Sequence, residues 1–250
     1  MTAGAPTVVL VHGAFADASS WNGVIERLLA KGVNVTAPAN PLRGIAIDSA
    51  YIAGVLGETS GPVLAVGHSY GGAVITNAAT GADNVVGLVY VAAFAPDEGE
   101  ALGAVEADSK DSVLNSALVP HHYPAGNGGD PAVEFAIDPA KLRDAFAADL
   151  SPEGAALIAA AQRPVAELAF TEQSGPPAWK GLPSWAVVGA GDKAAGADVV
   201  RAHAQRAGAT ITEIEASHVV MISHPQEVTD VILEALEAVG REPVQPTARS

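Results

Sequence analysis

Residues 63–72 of the chain read Val63-Leu64-Ala65-Val66-Gly67-His68-Ser69-Tyr70-Gly71-Gly72. An apolar run typical of a strand meets the pattern G-x-S-x-G, and an Ala-rich helical run follows over residues 72–79. Strand, sharp turn and helix in this order are the context of a nucleophile elbow. Glycines two residues before and after Ser69 remove Cβ atoms that would collide where strand and helix cross. We therefore predict that Ser69 Oγ stands at the carboxyl end of a sheet, close to unpaired N–H groups of a helix N-terminus.

The composition indicates a globular protein with a large aliphatic core. The chain has 250 residues, of which 49% are hydrophobic and 5% aromatic, and its net charge is −15. This negative surface repels phosphates, so we expect no nucleic-acid partner. Cysteine is absent, which excludes disulfides and thiolate metal sites. We expect neither a metal nor a cofactor.

We expect neither an export signal nor a membrane span. Residues 1–6 lack a basic start and an apolar core. The longest apolar run, over residues 85–95, is interrupted by Gly87 and is too short to cross a bilayer. We expect a soluble, cytoplasmic protein without a membrane partner, acting as a monomer or a homodimer.

Buried strands alternate with helical runs along most of the chain. The strands are near-continuous apolar segments, at residues 7–11, 33–37, 62–66, 85–91, 183–189 and 210–214. This pattern predicts an α/β fold with a mostly parallel, doubly wound sheet of about six strands. Ligands bind such sheets at the carboxyl ends of the strands.

The pattern changes between residues 97 and 177. This segment has a Pro/Gly-rich loop at 120–131 and helical runs at 139–149, 152–162 and 165–170. A structureless loop of this length is implausible, so we predict a helical cap over the site. The predicted organisation is a core formed by residues 1–96 and 178–240, a cap over 97–177 and a flexible tail over 241–250.

A serine nucleophile needs a base, and seven histidines compete for that role. His218 lies in the loop after the last strand, at the same sheet edge as Ser69, so we predict that it is the base. We expect the other six to shape loops, begin a helix, lie on the surface or contact substrate. They are His12 (its own loop), His68 (turned away from Ser69), His121 and His122 (substrate), His203 (surface) and His224 (helix start).

The base needs an orienting acid, which in this type of site lies between the serine and the histidine in sequence. Asp192 follows the strand at 183–189 in a Gly-rich turn beside the loop of His218, so we predict that it is the acid. Asp97, after the strand at 85–91, is the alternative.

An oxyanion needs two N–H donors. One is the backbone N–H of Tyr70, and the other comes from the turn after the first strand, where we favour Ala14 over Phe15. The side chains of Phe15 and Tyr70 either wall the substrate pocket or belong to the core.

Together these residues resemble the α/β-hydrolase superfamily. The finer resemblance is to its small branch of plant methyl esterases, hydroxynitrile lyases and bacterial homologues, carried by residues 67–72 and by Ser217-His218-Val219-Val220-Met221-Ile222-Ser223-His224-Pro225. In that branch the histidine of such a stretch is the catalytic base. Lyases of the branch carry a lysine directly after it, where this chain has Val219.

The resemblance implies a serine hydrolase that cleaves a small or medium, largely apolar carboxylic ester through an acyl-enzyme. Val219 favours hydrolysis over lyase chemistry. The alternatives are a lyase or a cofactor-free oxygenase with the same triad, and a non-catalytic ligand-binding relative.

Overall fold

A computed structural model describes residues 5–126 and 129–240. The tail predicted over residues 241–250 lies outside the described residues. In chain order, the strands are β1 (Thr7–Val11), β2 (Val35–Thr36), β3 (Val63–His68), β4 (Val85–Val91), β5 (Leu118–Tyr123), β6 (Ala132–Ile137), β7 (Val165–Ala166), β8 (Ser184–Gly189) and β9 (Thr210–Ile214).

Six of these strands form one parallel sheet in the order β2-β1-β3-β4-β8-β9. The predicted parallel sheet of about six strands is therefore confirmed. Its strands are short aliphatic runs because both faces of the sheet are covered. In β1, Val8 and Leu10 belong to one core cluster and Val9 and Val11 to the other, as the alternation of side chains along a strand requires.

Helices cover both faces of this sheet. In chain order, the α-helices are α1 (Asn22–Ala30), α2 (Ile45–Glu58), α3 (Tyr70–Ala78), α4 (Leu102–Ala107), α5 (Pro139–Phe146), α6 (Pro152–Ala161), α7 (Leu168–Thr171), α8 (Ala197–Arg206), α9 (Val220–Ser223) and α10 (Pro225–Gly240). One core cluster takes apolar residues from α2, α3 and α8, and the other takes them from α1 and α10. Within residues 5–126 and 129–240, none of the helices is long and apolar enough to cross a membrane.

Residues 97–177, where the sequence predicts a helical cap, contain strands as well as helices. Helices α5 and α6 lie where helices are predicted, but β5, β6 and β7 form an additional antiparallel sheet. Strand β5 occupies the start of the predicted loop at 120–131, and β7 and α7 divide the predicted helix at 165–170. Pro120 is tolerated in β5 because β5 is an edge strand and needs hydrogen bonds on one side only.

The topology brings the candidate residues to one edge of the large sheet. The carboxyl ends of parallel strands point the same way, so the segments that follow β1, β3, β8 and β9 meet there. These segments carry His12, Ser69, Asp192 and His218.

Candidate active site

Ser69 occupies the sharp turn between β3 and α3. Its φ of 54° and ψ of −123° are strained for a residue with a side chain. A Cβ added to Gly67 would lie 2.5 Å from the carbonyl oxygen of Gly71. A Cβ added to Gly71 would lie 2.4 Å from the carbonyl oxygen of Val11. Both flanking positions therefore require glycine, which is the physical reason for the G-x-S-x-G pattern.

Backbone hydrogen bonds hold Ser69 in this turn. Its N–H donates to the carbonyl of Val91 over 3.2 Å. Its carbonyl accepts from the N–H of Gly72 at 2.9 Å and from that of Phe94 at 3.2 Å. The residue is only 6% exposed, so its strained backbone is fixed inside the protein.

His218 and Asp192 form a buried pair. His218 Nδ1 lies 2.7 Å from Asp192 Oδ2, and both side chains are at most 1% exposed. Because the carboxylate accepts, Nδ1 carries the proton and Nε2 keeps its lone pair. The other oxygen, Oδ1, accepts the N–H groups of Ala194 at 2.9 Å and Ala195 at 3.0 Å. The arrangement holds the imidazole in the tautomer that a general base needs.

Asp97, the alternative acid, belongs to a surface ion pair. Its carboxylate lies 2.6 Å from Lys180 Nζ, and it accepts the N–H of Glu98 at 2.8 Å. These hydrogen bonds, that from Lys180 first, lower the pKa of Asp97. Of the two carboxylates, Asp192 is the one that meets His218.

His68 connects the turn of Ser69 with the loop of His218. Its Nε2–H donates to the backbone carbonyl of His218 at 3.1 Å, and the two rings lie 4.8 Å apart between centroids. Burial, followed by the neighbouring His218, holds the pKa of His68 well below its usual value. His68 is therefore neutral at pH 7, and its Nδ1 is buried without a hydrogen-bond partner among the described residues.

The turn after β1 lies directly against Ser69. A Cβ added to Gly13 would lie 2.7 Å from Ser69 Cβ, so only glycine permits this approach. His12 shapes the turn, as predicted from the sequence. Its Nδ1–H donates to the Gly13 carbonyl and its Nε2 accepts the Asn40 N–H, each over 2.9 Å.

Three backbone N–H groups near Ser69 remain available as donors. Among residues 5–126 and 129–240, the N–H groups of Ala14, Phe15 and Tyr70 find no hydrogen-bond acceptor. Tyr70 begins α3, and the first N–H groups of a helix have no partner within it. Phe15 has a φ of 60°, which turns the backbone sharply at this point. These are the groups from which an oxyanion site would be built.

The side chain of Tyr70 belongs to the core. It is 2% exposed, and its hydroxyl donates to Asp48 Oδ2 over 2.7 Å. Asp48 also accepts the N–H of Arg43 at 3.0 Å. Burial, then the charge of Asp48, raises the pKa of the Tyr70 hydroxyl. Of the two alternatives for this side chain, the structure shows the core role.

A mostly apolar cavity of about 420 Å³ lies between residues 146–161 and the segments that follow β1 and β9. Its wall includes Phe15, Phe146, Ile158 and Val219. The Phe146 ring lies 5.0 Å from the ring of His218 and 6.2 Å from that of Phe15, between centroids. Ser69 and His218 do not line the cavity themselves. The two phenylalanines therefore connect the cavity with the surroundings of His218.

His121 and His122 lie away from this cavity. They are exposed on β5, opposite Glu134 and Val133 of β6. Neither lines the cavity. The structure therefore does not bring these two histidines together with the other candidate residues.

His203 is buried, so its predicted surface position is wrong. It is 5% exposed, and its Nδ1 accepts the N–H of Ala95 at 3.1 Å. Burial, followed by the charge of Arg206, lowers the pKa of His203 to about 4. This hydrogen bond joins α8 to the segment after β4. The hydrophobic pattern of α8 alone does not predict such a contact. His224, next to the start of α10, is half-exposed and lies beside Ser223 Oγ.

Two residues of segment 97–177 contact the loop of His218 and have no signature in the sequence. Phe146 packs on His218, as described above. Asp149 accepts both the N–H and the hydroxyl of Ser217, the residue before His218. Both contacts tie the segment 146–149 to the loop of His218. Isolated residues of these types belong to no recognisable motif, so only the tertiary contacts identify them.

Three solved structures illustrate the likeness of the fold to known proteins. Polyneuridine aldehyde esterase has 22% identity and a TM-score of 0.78, over 93% of this chain and 99% of that one. The methylesterase protein MES16 from Arabidopsis has 20% identity and a TM-score of 0.75, over 93% and 99%. A pyrethroid hydrolase from Sphingobium faniae JZ-2 has 19% identity and a TM-score of 0.75, over 93% and 98%. No curated protein matches the chain.

The parallel sheet, the sharp strand–turn–helix at Ser69 and the buried His218–Asp192 pair define an α/β protein with a candidate site at the carboxyl edge of its sheet. Residues 8–231 match the sequence model of the alpha/beta hydrolase family, a range that includes all but the first residue of the large sheet. The chain belongs to the alpha/beta hydrolase family. The predicted superfamily resemblance is thereby confirmed, and a plant methylesterase is among the proteins with this fold.

Proposed function

We propose that the protein is a serine esterase that hydrolyses carboxylic esters through an acyl-enzyme. The observation that carries the proposal is the buried His218–Asp192 pair, placed at the sheet edge where Ser69 stands in a strained, glycine-flanked turn. A serine hydroxyl is a weak nucleophile unless an oriented base accepts its proton. These three residues supply the nucleophile, the base and the orienting acid.

In the proposed first half-reaction, His218 Nε2 accepts the proton of Ser69 Oγ while the oxygen attacks the ester carbonyl carbon. Asp192 stabilises the imidazolium through the Nδ1 hydrogen bond. The N–H of Tyr70, with that of Ala14 or Phe15, donates to the oxyanion. Collapse of the tetrahedral intermediate breaks the bond to the alkoxy oxygen, and His218 transfers its proton to the departing alcohol.

In the second half-reaction, His218 accepts a proton from water, and the hydroxide attacks the acyl carbon. The second tetrahedral intermediate uses the same N–H donors. Its collapse releases the carboxylic acid, and Ser69 recovers its proton from His218. Every proton is returned, so the cycle requires no cofactor.

The substrate class follows from the cavity and the charge. A cavity of about 420 Å³ that is mostly apolar, with a few polar residues such as Asp17 and Asn22 in its wall, suits a small or medium, largely apolar group. The net charge of −15 disfavours anionic esters. The residue after His218 is Val219, which is fully buried and offers no charge, and this supports hydrolysis over the lyase alternative.

The test compares hydrolysis of p-nitrophenyl butyrate by the wild type, Ser69→Ala and Ser60→Ala. Ser60 is exposed and precedes β3, at the opposite end of the strand from Ser69, so it is a matched control. We expect Ser69→Ala to lower kcat by about 10⁴-fold or more and Ser60→Ala to retain the wild-type value. Equal activity of all three proteins contradicts the proposal.

A further inference from the structure

Glu106 is a buried carboxyl group that the proposed mechanism does not use. It lies in α4 of the cap and is 4% exposed. A carboxylate in such a position is costly unless it is paired or protonated. Its hydrogen-bond partner is the hydroxyl of Ser112, with Oε1 at 3.1 Å from Oγ.

The hydroxyl of Ser112 has one proton, and two neighbouring oxygen atoms could accept a hydrogen bond from it. Its Oγ lies 2.6 Å from the carbonyl oxygen of Ala194 and 3.1 Å from Glu106 Oε1. The carbonyl has no proton to give and is the closer partner, so it takes the hydroxyl proton. The Glu106 contact is then satisfied only if the carboxyl group donates, which requires its protonated form.

Ala194 connects this contact with the candidate acid. The carbonyl of Ala194 accepts from Ser112, and its N–H donates to Asp192 Oδ1 over 2.9 Å. The neighbouring carbonyl of Lys193 accepts the N–H of Val113 at 2.8 Å. The cap segment after α4 therefore holds the loop that carries Asp192 at two adjacent peptide groups.

The charged groups that act on Glu106 are those of the candidate site. Asp192 lies on the loop after β8, and His218 lies on the loop after β9. Helix α7 packs against α4 and has no titratable side chain between Leu168 and Thr171. Burial raises the pKa of Glu106 to about 7, which the hydrogen bond with Ser112 and then the charge of His218 oppose and Asp192 reinforces. With this pKa, Glu106 is mostly protonated below neutral pH, which is the form that the hydrogen bonds require.

We propose that Glu106 is a positioning residue that works as a neutral acid. It donates to Ser112 Oγ, directs the Ser112 proton to the Ala194 carbonyl, and so fixes the loop whose amides hold Asp192 against His218. Ionisation removes the donated proton and places a second negative charge near Asp192. The neutral form supports catalysis, and the ionised form loosens the orientation of the acid.

This inference rests on the proposed esterase function for its kinetic test. The pH dependence of kcat/KM for p-nitrophenyl butyrate is measured for the wild type, Glu106→Gln and Glu106→Leu. We expect an alkaline decline in the wild type that disappears in Glu106→Gln, because the carboxamide donates to Ser112 at every pH. Glu106→Leu has no donor, and we expect about tenfold lower kcat at every pH, equivalent to a barrier higher by about 1.4 kcal/mol.

An unchanged alkaline decline in Glu106→Gln, or equal kcat values for the Gln and Leu variants, overturns the proposal. A second measurement does not depend on activity. The carboxyl resonances of ¹³C-glutamate are titrated by NMR in the Ser69→Ala protein, and Glu106 is assigned by its loss in the Glu106→Gln variant. Titration near pH 7 supports the neutral acid, and titration near the ordinary value of a glutamate overturns it. If the wild type hydrolyses no ester, the proposed function fails, while this titration still decides the state of Glu106.

Discussion

His68 donates its Nε2–H to the main-chain carbonyl of His218 over 3.1 Å. One hydrogen bond thereby joins the residue before the proposed nucleophile to the proposed base. The two residues come from β3 and from the loop after β9, so the bond sets one loop against the other. Because Nε2 is used in this hydrogen bond, we expect His68 to position the backbone of His218 and not to transfer protons itself.

Replacement of His68 tests this connection. We expect His68→Ala to lower kcat and to reduce the free energy of unfolding by about 1–3 kcal/mol, since the buried carbonyl of His218 loses its donor. His68→Gln places an N–H group near the former Nε2 and should recover part of both losses. Ester kinetics and urea unfolding measure the effects. Wild-type kcat in His68→Ala contradicts the role.

The cavity predicts a dependence on chain length. Ile158 lines the cavity from α6, and a tryptophan there fills part of its volume. We expect Ile158→Trp to raise KM for p-nitrophenyl octanoate by about tenfold. The KM for p-nitrophenyl acetate should change little. Leu168→Trp is the control, because Leu168 is 46% exposed and outside the cavity wall. Equal changes for both esters argue against an acyl site in this cavity.

His203 predicts a loss of stability in acid. Its pKa is about 4 in the folded protein, against 6.5 ordinarily. Between these values the unfolded chain binds a proton that the folded chain does not, so the free energy of unfolding falls as the pH drops from 6.5 towards 4. The contribution is on the order of 3 kcal/mol. His12 and His68 shift in the same direction.

His203→Asn isolates that contribution, because the carboxamide oxygen can accept the N–H of Ala95 and does not titrate. Urea unfolding at pH 7.5 and pH 5.5 should show a smaller acid loss in the variant than in the wild type. The same loss in both proteins contradicts the assignment to His203.

Glu106 predicts the opposite dependence. Its pKa is raised from 4.5 to about 7 in the folded protein. Between these values the folded protein binds the additional proton, so the stability contributed by this group falls as the pH rises through 7. Glu106→Gln does not titrate, so its free energy of unfolding relative to the wild type should increase from pH 5.5 to pH 8.5. The increase should be on the order of 2 kcal/mol, and a constant difference contradicts the raised pKa.

The sequence predicts the sheet and the turn of Ser69 because each depends on local chemistry. Continuous aliphatic runs are typical of strands covered on both faces. Gly67 and Gly71 are needed wherever a strand and a helix cross so closely. Asp192 and His218 follow from the order of strands, since the carboxyl ends of parallel strands meet at one edge.

The remaining features depend on contacts between distant segments. The edge strand β5 contains Pro120 and exposed polar residues, so it lacks the alternation by which strands are recognised. His203 looks like a surface residue until α8 is placed beside Ala95. Glu106 and Asp149 come near the loops of Asp192 and His218 only because segment 97–177 folds onto those loops. Contacts between segments that are distant in sequence cannot be predicted from local sequence patterns.

The central claim, that Ser69 is the activated nucleophile, is tested most directly by covalent labelling. The protein is treated with a fluorophosphonate, and the modified peptide is identified by mass spectrometry. We predict one phosphonyl group per chain, on Ser69, with loss of fluoride, and no labelling of Ser69→Ala. An unlabelled wild type, or equal labelling of Ser69→Ala, contradicts the account.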